Sequence, residues 1–568
     1  MKLLLDTKTT PLPSLDLPSD LSVELSRTNP FLTNEGSQSI PFTIPASSGN
    51  LVKLGFPERL RPTTRPETKR PAILLDGSAW IKGTLYIESV NMKEGITCTF
   101  YTNEGRLYEQ LKKYTLQTLP FDKIGTEGQS VDSLISGFES EINGTKTESE
   151  MYAFCGCGTD LVFNLDKSNE SNYDLILNEI QYKSGSTSVE FIGKTSRKYF
   201  NGTGDSAKEI TVPAGYGISP FMKVSYILNK MFSSLGYDTN LYQFTSNASF
   251  NRLVVLNNVL DSCVKGGGIS PSSLLPDMDC EEFISAFRKK FGMEFIENNN
   301  TIEMRSWEDV LKLSPDYEIR SIEEPTISYE DAKGIYMSLN NLTDGNMMDY
   351  YTITHNPPEG MDKEEISFSD YTPTINNMRS AYILKITGGG IPSMYCWGPD
   401  MGSNSHINTE LILDDSKEAE DESNDKLSLV FCFALKGIKV DKQDPSYKYP
   451  FIEGTLREYD FEPARVDSQW GQFNLFVNAL EDMESLPGFY YGRNLYETFY
   501  KRRDEMLQKA NQQIVCRAKI PAHIINSMDI SRPKILDGQK VMIERIDYTL
   551  GKSELCQITA RTLHLMNE

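Results

Sequence analysis

Residues 219–240 read SPFMKVSYILNKMFSSLGYDTN and predict an amphipathic helix with a marked start and end. Ser219 can cap the first turn, Pro220 suits the first helical position, and Gly236 favours the left-handed conformation that ends a helix. The apolar residues between them recur at the spacing of one helix face: Val224, Ile227, Leu228, Met231, Phe232 and Leu235. An isolated helix of this length does not recover the entropy of ordering its backbone. We therefore expect it to pack against a larger surface, which the alternating segments around it predict to be β-sheet.

The same pattern recurs at residues 279–307, which predict a second helix followed by a β-hairpin. Asp279 can cap this helix and Gly292 can end it. Four apolar side chains form its buried face: Phe283, Ile284, Phe287 and Phe291. Residues 293–307 then predict two strands joined by a polar turn. The predicted unit is therefore a helix, a strand, a turn and a second strand.

Alternating apolar residues predict further antiparallel strands near both ends of the chain. Residues 72–89 are typical of a hairpin around the Asp76-Gly77 turn, and residues 514–563 predict several strands after a helix over 495–509. We expect the class to be α+β and β-rich with several domains, in which short amphipathic helices buttress β-barrel-like tube domains.

The length of the chain predicts several domains, because 568 residues are too many for one hydrophobic core. Composition shifts and clusters of turn residues divide the sequence into six segments. They are an extended N-terminal arm with little structure of its own (1–38), a β-hairpin tube-like domain (39–120), a β-rich insertion (121–218), a helix and β-hairpin tube-like domain (219–310), an irregular β domain with an acidic loop at 414–425 (311–485), and a C-terminal helix with an antiparallel sheet (486–568).

The overall charge argues against recognition of nucleic acid. The formal net charge is -22 and the isoelectric point is near 4.8, whereas binding to a phosphate backbone depends on Lys and Arg. The N-terminal residues lack the apolar core of an export signal, and no apolar stretch approaches the length of a membrane span. Nine scattered cysteines do not form the pattern of a disulfide framework.

One segment of this acidic chain is rich in positive charge. Six cations lie close together in the sequence: Lys53, Arg59, Arg61, Arg65, Lys69 and Arg70. They have two interpretations, a solvated loop or an electrostatic contact with an acidic partner or a neighbouring subunit. We regard them as a possible interface.

The motifs of the common enzyme classes are missing from the sequence. It contains no nucleophile elbow, no dinucleotide-binding glycine pattern and no helical pair of histidines for zinc. We therefore expect no enzyme activity, no catalytic or metal-binding residues and no cofactor. A pair of acids for glycoside hydrolysis cannot be recognised from sequence alone, and that alternative stays open.

Several segments together resemble a known family. They are SYILNKMFSSLGY (225–237), EEFISAFRKKFGMEFIENNNTIEMRSW (281–307), IPFTIP (40–45) with AILLDGSAWIKGTLYIES (72–89), and ILDGQKVMIERIDYTLGKSELCQITARTL (535–563). In this combination the chain resembles the tail-hub or baseplate-hub proteins of long-tailed bacteriophages, and most of all those of Bacteroidetes phages and prophages. Each of these segments is a packing pattern rather than a chemical signature.

The resemblance implies a homotrimeric ring built from two β-barrel tube domains per subunit. Such a ring is expected to bind the tail tube protein on one side and a spike, tip or fibre protein on the other, next to the tape-measure protein. DNA would contact it only transiently, in the lumen, and the protein would be made in the host bacterial cytoplasm and end in the virion. The alternatives are a surface or carbohydrate-binding β protein, suggested by Trp397, Tyr490 and Tyr491, and a cell-wall or glycan hydrolase.

Overall fold

A computed structural model describes most of residues 1–339 and 499–563, and isolated strands between them. The strands between them cover 362–368, 385–388, 391–395, 431–433, 438–440 and 448–450. The gaps within the two long ranges are 7–10, 33–38, 61–67, 103–110, 155–156, 169–171, 184–187, 202–203, 243, 245–250, 252, 256, 258, 299–300, 510 and 553. The described chain is β-rich with short helices and contains a curled half-barrel sheet, which confirms the predicted α+β class.

The first sheet has six antiparallel strands from the N-terminal part of the chain. Their spatial order is β2-β1-β5-β6-β7-β4. The strands are β1 (Lys2–Leu5), β2 (Ser14–Leu15), β4 (Phe42–Ile44), β5 (Lys69–Asp76), β6 (Ala79–Asn91) and β7 (Gly95–Thr102), with helix α1 (Ser48–Lys53) beside them. Leu75 pairs with Trp80 and Asp76 with Ala79 across the Asp76-Gly77 turn. The predicted hairpin is confirmed.

The second sheet combines the two ends of the chain. Its spatial order is β20-β30-β31-β32-β29-β21, with β3 paired to β31. The strands are β3 (Val23–Thr28), β20 (Glu318–Ile319), β21 (Thr326–Glu330), β29 (Asn511–Ala518), β30 (Lys534–Leu536), β31 (Gln539–Leu550) and β32 (Cys556–Thr562). Helix α7 (Ala522–Ser527) lies between β29 and β30 in the sequence. The predicted C-terminal antiparallel sheet is confirmed.

The first 38 residues were expected to form an arm with little structure of its own, and this expectation is wrong for the described part. Strand β1 pairs with β5, and β3 pairs with β31 over six residues. Buried Asn29 donates its amide to the carbonyls of Ile530 at 3.1 Å and Ile543 at 2.8 Å. The segment is ordered because the edges of both sheets supply the backbone partners that it lacks alone.

One hydrophobic core lies between the two sheets. Leu3, Leu74 and Leu85 from the first sheet belong to the same buried cluster as Ile543 and Ile558 from the second. The predicted segments 39–120 and 486–568 therefore contribute to one core, although they are far apart in the sequence.

The middle of the chain forms a second core of helices and short strands. Its helices are α2 (Val131–Ile142), α3 (Val224–Ser234) and α4 (Cys280–Phe291), followed by α5 (Trp307–Lys312). Its strands are β8 (Tyr152–Ala153), β9 (Cys157–Asn164), β10 (Asn172–Leu177), β11 (Ile180–Tyr182), β12 (Val189–Phe191), β13 (Arg197–Asn201), β14 (Lys208–Val212), β15 (Phe221–Lys223), β16 (Asp238–Asn240), β17 (Leu253–Val255), β18 (Met293–Asn298) and β19 (Thr301–Ser306). Helix α2 was not predicted, because residues 121–218 were interpreted as strands alone.

Helix α3 begins at Val224, four residues later than the predicted first helical residue, Pro220. Phe221 pairs with Ala153 and Met222 with Val255, so residues 221–223 form strand β15 instead of a first helical turn. The hydroxyl of Ser219 donates to the amide oxygen of Asn257 at 2.9 Å and does not cap the helix. The predicted end is confirmed, since Gly236 has the left-handed φ of 86°. Tertiary pairing outweighs the local start signal here.

The second predicted helix and its hairpin are confirmed. Helix α4 ends at Gly292, which has a left-handed φ of 55°, and β18 and β19 then pair in antiparallel fashion. The ring of Phe295 on β18 lies 5.2 Å from the ring of Phe232 on α3 and 6.0 Å from the ring of Phe287 on α4. Both amphipathic helices therefore pack on one small sheet, as expected from their apolar faces.

A smaller apolar cluster joins the two cores. Trp307, the first residue of α5, packs edge-on against Phe31 with the ring centroids 5.0 Å apart. Met542 of β31 and Ile296 of β18 belong to the same cluster, and the guanidinium of Arg503 lies 5.1 Å from the Trp307 ring. We call this group the Trp307 cluster. The cluster therefore contains side chains from elements of both cores.

The remaining elements are described only as short pieces. They are β22 (Lys333–Leu339), β23 (Asp362–Phe368), β24 (Lys385–Gly388), β25 (Ile391–Tyr395), β26 (Phe431–Phe433), β27 (Ile438–Val440), β28 (Lys448–Pro450) and helix α6 (Lys501–Leu507). The predicted acidic loop 414–425 and the first part of the helix predicted over 495–509 lie outside the described residues. Within the described chain, none of the helices has the length and apolar character needed to cross a bilayer.

Candidate interaction surfaces

Two cations of the predicted basic segment, Lys53 and Arg70, make contacts within the first sheet and its helix α1. The ammonium of Lys53, the last residue of α1, donates to the carbonyl of Ser14 at 2.6 Å and lies 3.9 Å from Asp16. The guanidinium of Arg70 on β5 donates to the carbonyl of Leu54 at 3.2 Å. These contacts bring the two ends of the segment together, next to α1.

Two other cations of the segment lie over aromatic rings and face solvent. The guanidinium of Arg59 lies 3.8 Å from the ring centroid of Phe56, and its side chain is 61% exposed. The ammonium of Lys69 lies 5.9 Å from the ring centroid of Tyr86. The guanidinium of Arg59 also lies 3.5 Å from the carboxylate of Glu58, so part of its charge is balanced within the chain. Arg61 and Arg65 lie outside the described residues.

We call the described group of Val52, Lys53, Arg59 and Lys69 the basic patch. Val52 on α1 is an exposed aliphatic side chain and precedes Lys53 in the sequence. The patch therefore offers positive charge and a small apolar area together, a composition that protein interfaces use. That it is an interface remains a prediction.

A second surface was not predicted. Strand β21 is the last strand of the second sheet, where it pairs with β29 from Thr326–Val515 to Glu330–Asn511. Tyr329 is 77% exposed and Ile327 is 46% exposed. An exposed edge strand with large apolar side chains is a template for pairing with another chain, and monomeric proteins usually protect such edges. Strand β21 is therefore a candidate interaction surface.

Residues 322–331 read IEEPTISYED and place acids around this edge without any Lys or Arg. Glu323 and Glu324 precede the strand and are exposed, and so is Asp331 after it. Two of these acids are paired with other strands of the sheet: the carboxylate of Glu330 lies 2.5 Å from the guanidinium of Arg561, and that of Glu323 lies 3.8 Å from the guanidinium of Arg517. We call residues 322–331 the acidic edge. The alternation of Thr326, Ile327, Ser328 and Tyr329 after a proline is the signal that could have identified this strand.

The described cysteines show no sign of reactivity. Burial raises the pKa of Cys98, Cys263 and Cys280 to about 12 and that of Cys516 to about 11. A nucleophilic or metal-binding cysteine needs a lowered pKa, since the thiolate is the reactive form. These thiols are packed as small apolar groups, and they are not joined in disulfides. In the part of the chain that the structure describes, no three His, Cys, Asp or Glu side chains form a group that could hold a metal ion.

One largely buried carboxylate has a raised pKa. Glu294 on β18 lies 2.5 Å from the guanidinium of Arg288 on α4, beneath the helix. Burial raises the pKa of Glu294 from 4.5 to about 7, although Arg288 and Arg503 act in the opposite direction. The folded protein therefore binds a proton at this site more tightly than the unfolded chain does.

We expect Glu294 to make the protein less stable as the pH rises from 4.5 to 7. A carboxyl with a raised pKa in the folded state adds stability that is complete below its unfolded pKa of 4.5 and is lost as the pH passes about 7. The Glu294→Gln variant should lack this contribution, and the difference in unfolding free energy between it and the native chain should change by on the order of 2 kcal/mol across that window. Urea unfolding at pH 5 and pH 8 measures it. A pH-independent difference would contradict the raised pKa.

The solved structures that are similar to this chain include three tail proteins. No family model matches the chain, and no curated protein matches it. The chain is similar to the prophage tail protein gp18 from Listeria monocytogenes EGD-e, with a TM-score of 0.34, 8% identity, and coverage of 99% of this chain and 94% of that one. It is also similar to the 43 kDa tail protein of prophage MuSo2 from Shewanella oneidensis (TM-score 0.29, 4% identity, coverage 99% and 98%) and to a tail protein from Neisseria meningitidis MC58 (TM-score 0.29, 7% identity, coverage 99% and 95%). All three neighbours are tail proteins, and the first two are prophage proteins.

Proposed function

We propose that this protein is a structural component of a phage tail, a tail or baseplate hub that forms a ring between the tail tube and the tail tip. The observation that carries the proposal is that the segments with hub-like sequence build both cores. Residues 72–89 form most of the first hairpin, 535–563 form the central strands of the second sheet, and 281–307 form helix α4 with its hairpin. They are thus parts of the framework and not isolated sequence matches.

In this proposal the protein works through surfaces and not through catalysis. A ring needs faces that bind sister copies and neighbouring proteins, and sheets in a ring can continue across subunits at strands that would otherwise be exposed edges. Strand β21 with exposed Tyr329 is such an edge. The partners would be other copies of the chain in a homotrimer or a larger ring, the tail tube protein, a spike, tip or fibre protein, and the tape-measure protein. DNA would pass through the lumen without being held by an acidic chain of net charge -22.

Nothing in the described residues favours the alternative functions. The carbohydrate-binding interpretation depended on Trp397, Tyr490 and Tyr491, which lie outside the described residues. The hydrolase interpretation requires two acids at a fixed separation around a substrate cleft. The deeply buried carboxylate of Glu139 has a structural partner, since it forms an ion pair with Lys194 at 2.9 Å.

The test is the assembly state of the full chain. We expect analytical ultracentrifugation and mass photometry to show a trimer or a larger closed ring, and electron microscopy to show a central opening. Added tail tube protein from the same phage or prophage should bind one face of the ring. A chain that stays monomeric at all accessible concentrations and also fails to assemble on tube protein would overturn the proposal. Binding to a glycan array by the monomer would favour the carbohydrate-binding alternative instead.

A further inference from the structure

We propose that strand β21 of one copy pairs with strand β21 of a second copy, in antiparallel fashion around a two-fold axis at Ser328. The contact goes beyond the proposed function, because a ring is closed by head-to-tail contacts whereas this contact joins the same surface of both copies. Three observations support it: the position of β21 at the edge of its sheet, its exposed apolar side chains, and the register that its length allows.

Strand β21 is the least protected edge of the two large sheets. The other edge strands are short, since β2 and β20 have two residues each and β4 has three, between Pro41 and Pro45. The outer side of β3 is partly covered, because Ile40 donates its backbone amide to the carbonyl of Glu24 at 3.0 Å. Strand β21 has five residues with a proline only before the first, and among the described elements no strand pairs with its outer side. An edge of this length favours pairing with another strand.

An apolar row on the core face of the second sheet ends at β21. It runs through residues that lie directly opposite each other on successive strands: Ile543, Ala560, Ile514 and Ile327. The first three are at most 6% exposed, whereas Ile327 is 46% exposed. Tyr329 points to the same face of β21, two residues further on, and is 77% exposed. A further strand on the outer side of β21 would continue this row and bury Ile327.

The length of β21 selects one two-fold register. A two-fold axis between antiparallel copies of one strand places one residue opposite itself. With Ser328 at the axis, all five strand residues lie opposite a strand residue of the partner, whereas a shift of the axis by one residue pairs only three. This register places Ile327 of each copy opposite Tyr329 of the other. An aromatic side chain opposite a β-branched one is among the pairs that stabilise neighbouring strands.

Charge and side-chain matching favour a second copy as the occupant of this edge. Copies of net charge -22 repel each other at long range, so a contact between them has to keep acids apart. Glu330 is the only charged residue of β21, it lies opposite Thr326 of the partner strand in this register, and its carboxylate is paired with Arg561 at 2.5 Å. The paired strands therefore place no two charges opposite each other, and each copy supplies the apolar side chain that the other needs.

A cysteine at the axis tests this register in the full chain. In the Ser328→Cys variant the two new thiols lie opposite each other, with Cα atoms about 4.5–5.5 Å apart, which a disulfide can span. Mild oxidation should convert most of the protein into covalent dimers, seen on non-reducing gels. The hydroxyl of Ser328 makes only a long contact of 3.5 Å to the carbonyl of Gln513, so its loss should not disturb the sheet.

The matched control is Thr326→Cys, at an exposed residue on the same face of the same strand. In the proposed register its two thiols are four residues apart along the strands, roughly 13 Å, which a disulfide cannot span. Dimers of this variant should stay at the level that the native cysteines produce in the native chain. Equal dimer yields from the two variants, or no excess of dimer in Ser328→Cys, would overturn the inference.

The Ile327→Glu variant tests the apolar pairs without a crosslink. A two-fold contact contains the substitution twice, and each time a carboxylate replaces the partner of Tyr329. The dissociation constant of the pair should rise at least about tenfold in sedimentation velocity. Met92→Glu makes the same change at a side chain that is 59% exposed in the turn after β6, and should leave the constant unchanged. Equal weakening by both variants would show that net charge controls association and would contradict the contact.

The outcomes separate this inference from the proposed function. If the native chain forms a ring but Ser328→Cys gives no excess of dimer, the ring-forming role stands and the contact is wrong. If Ser328→Cys gives dimers but no ring forms, the contact stands and the proposed function fails. If added tail tube protein protects the new thiol from alkylation while the variant stays monomeric, the edge binds another protein and the inference is wrong.

Discussion

Replacing Trp307 by alanine should lower the free energy of unfolding by about 3–5 kcal/mol, the cost of emptying a large aromatic site in a core. The indole is 4% exposed and packs against Phe31 of the N-terminal segment, and Met542 of β31 and Leu563 after β32 belong to the same apolar cluster. The side chains around it belong to elements that neighbouring strands hold in place, so the cavity cannot close by a small local shift. Urea unfolding followed by circular dichroism, at one fixed protein concentration, measures the loss.

The chain offers a matched control for this substitution. Trp80 on β6 is 52% exposed, and its backbone carbonyl accepts a hydrogen bond from the side-chain amide of Asn526 at 3.1 Å. Trp80→Ala removes the same side chain and leaves that bond intact, so its effect should stay within about 0.5 kcal/mol. Equal losses from the two substitutions would show that the Trp307 cluster does not join the two cores as described.

The parts of the fold that could be predicted from sequence are those with local, periodic signals. Helix α4, its glycine end at Gly292 and the following hairpin need no information from elsewhere in the chain, since their pattern and turn residues lie within 30 neighbouring positions. The hairpin around Asp76-Gly77 could be predicted for the same reason, because its alternating strands and turn residues are neighbours in the sequence. The predicted start of α3 was wrong because residues 221–223 form strand β15, which pairs with strands that lie far away in the sequence.

The parts that could not be predicted depend on distant partners. Strand β3 pairs Val23 with Leu550, which no periodicity in either segment reveals. Glu139 on α2 lies on a helix face that would suit solvent, but it is 3% exposed and is held by Lys183 at 3.2 Å and Lys194 at 2.9 Å. A buried carboxylate is tolerated only with such partners, and their positions follow from the tertiary fold.

Of the two candidate surfaces, one could be identified from local sequence and the other depends on distant parts of the chain. The basic segment could be identified from composition, because a cluster of cations stands out in an acidic chain. The acidic edge could not, because exposure of Ile327 and Tyr329 depends on β21 being the last strand of its sheet. From sequence alone the same apolar alternation would suit a buried strand equally well.

Replacing Gly83 by alanine should destabilise the protein by roughly 3 kcal/mol, at the upper end of the range for overpacked cores. Gly83 lies in β6 between β5 and β7, and an added Cβ would come 2.2 Å from the carbonyl oxygen of Tyr101 and 2.6 Å from the ring of Phe100. The first of these atoms belongs to the backbone of the paired strand, so the added atom can fit only if the two strands separate. Thermal and urea unfolding of the variant measure the effect.

The same substitution at Gly137 should have the opposite sign. Gly137 lies inside helix α2, and a Cβ added there meets no atom within 4 Å. Alanine restricts the unfolded chain and suits a helix interior, so Gly137→Ala should stabilise the protein by about 0.5–1 kcal/mol. The contrast between the two variants tests packing directly, because one methyl group is added in both. A Gly83→Ala variant as stable as Gly137→Ala would mean that β6 and β7 do not approach each other as closely as this sheet requires.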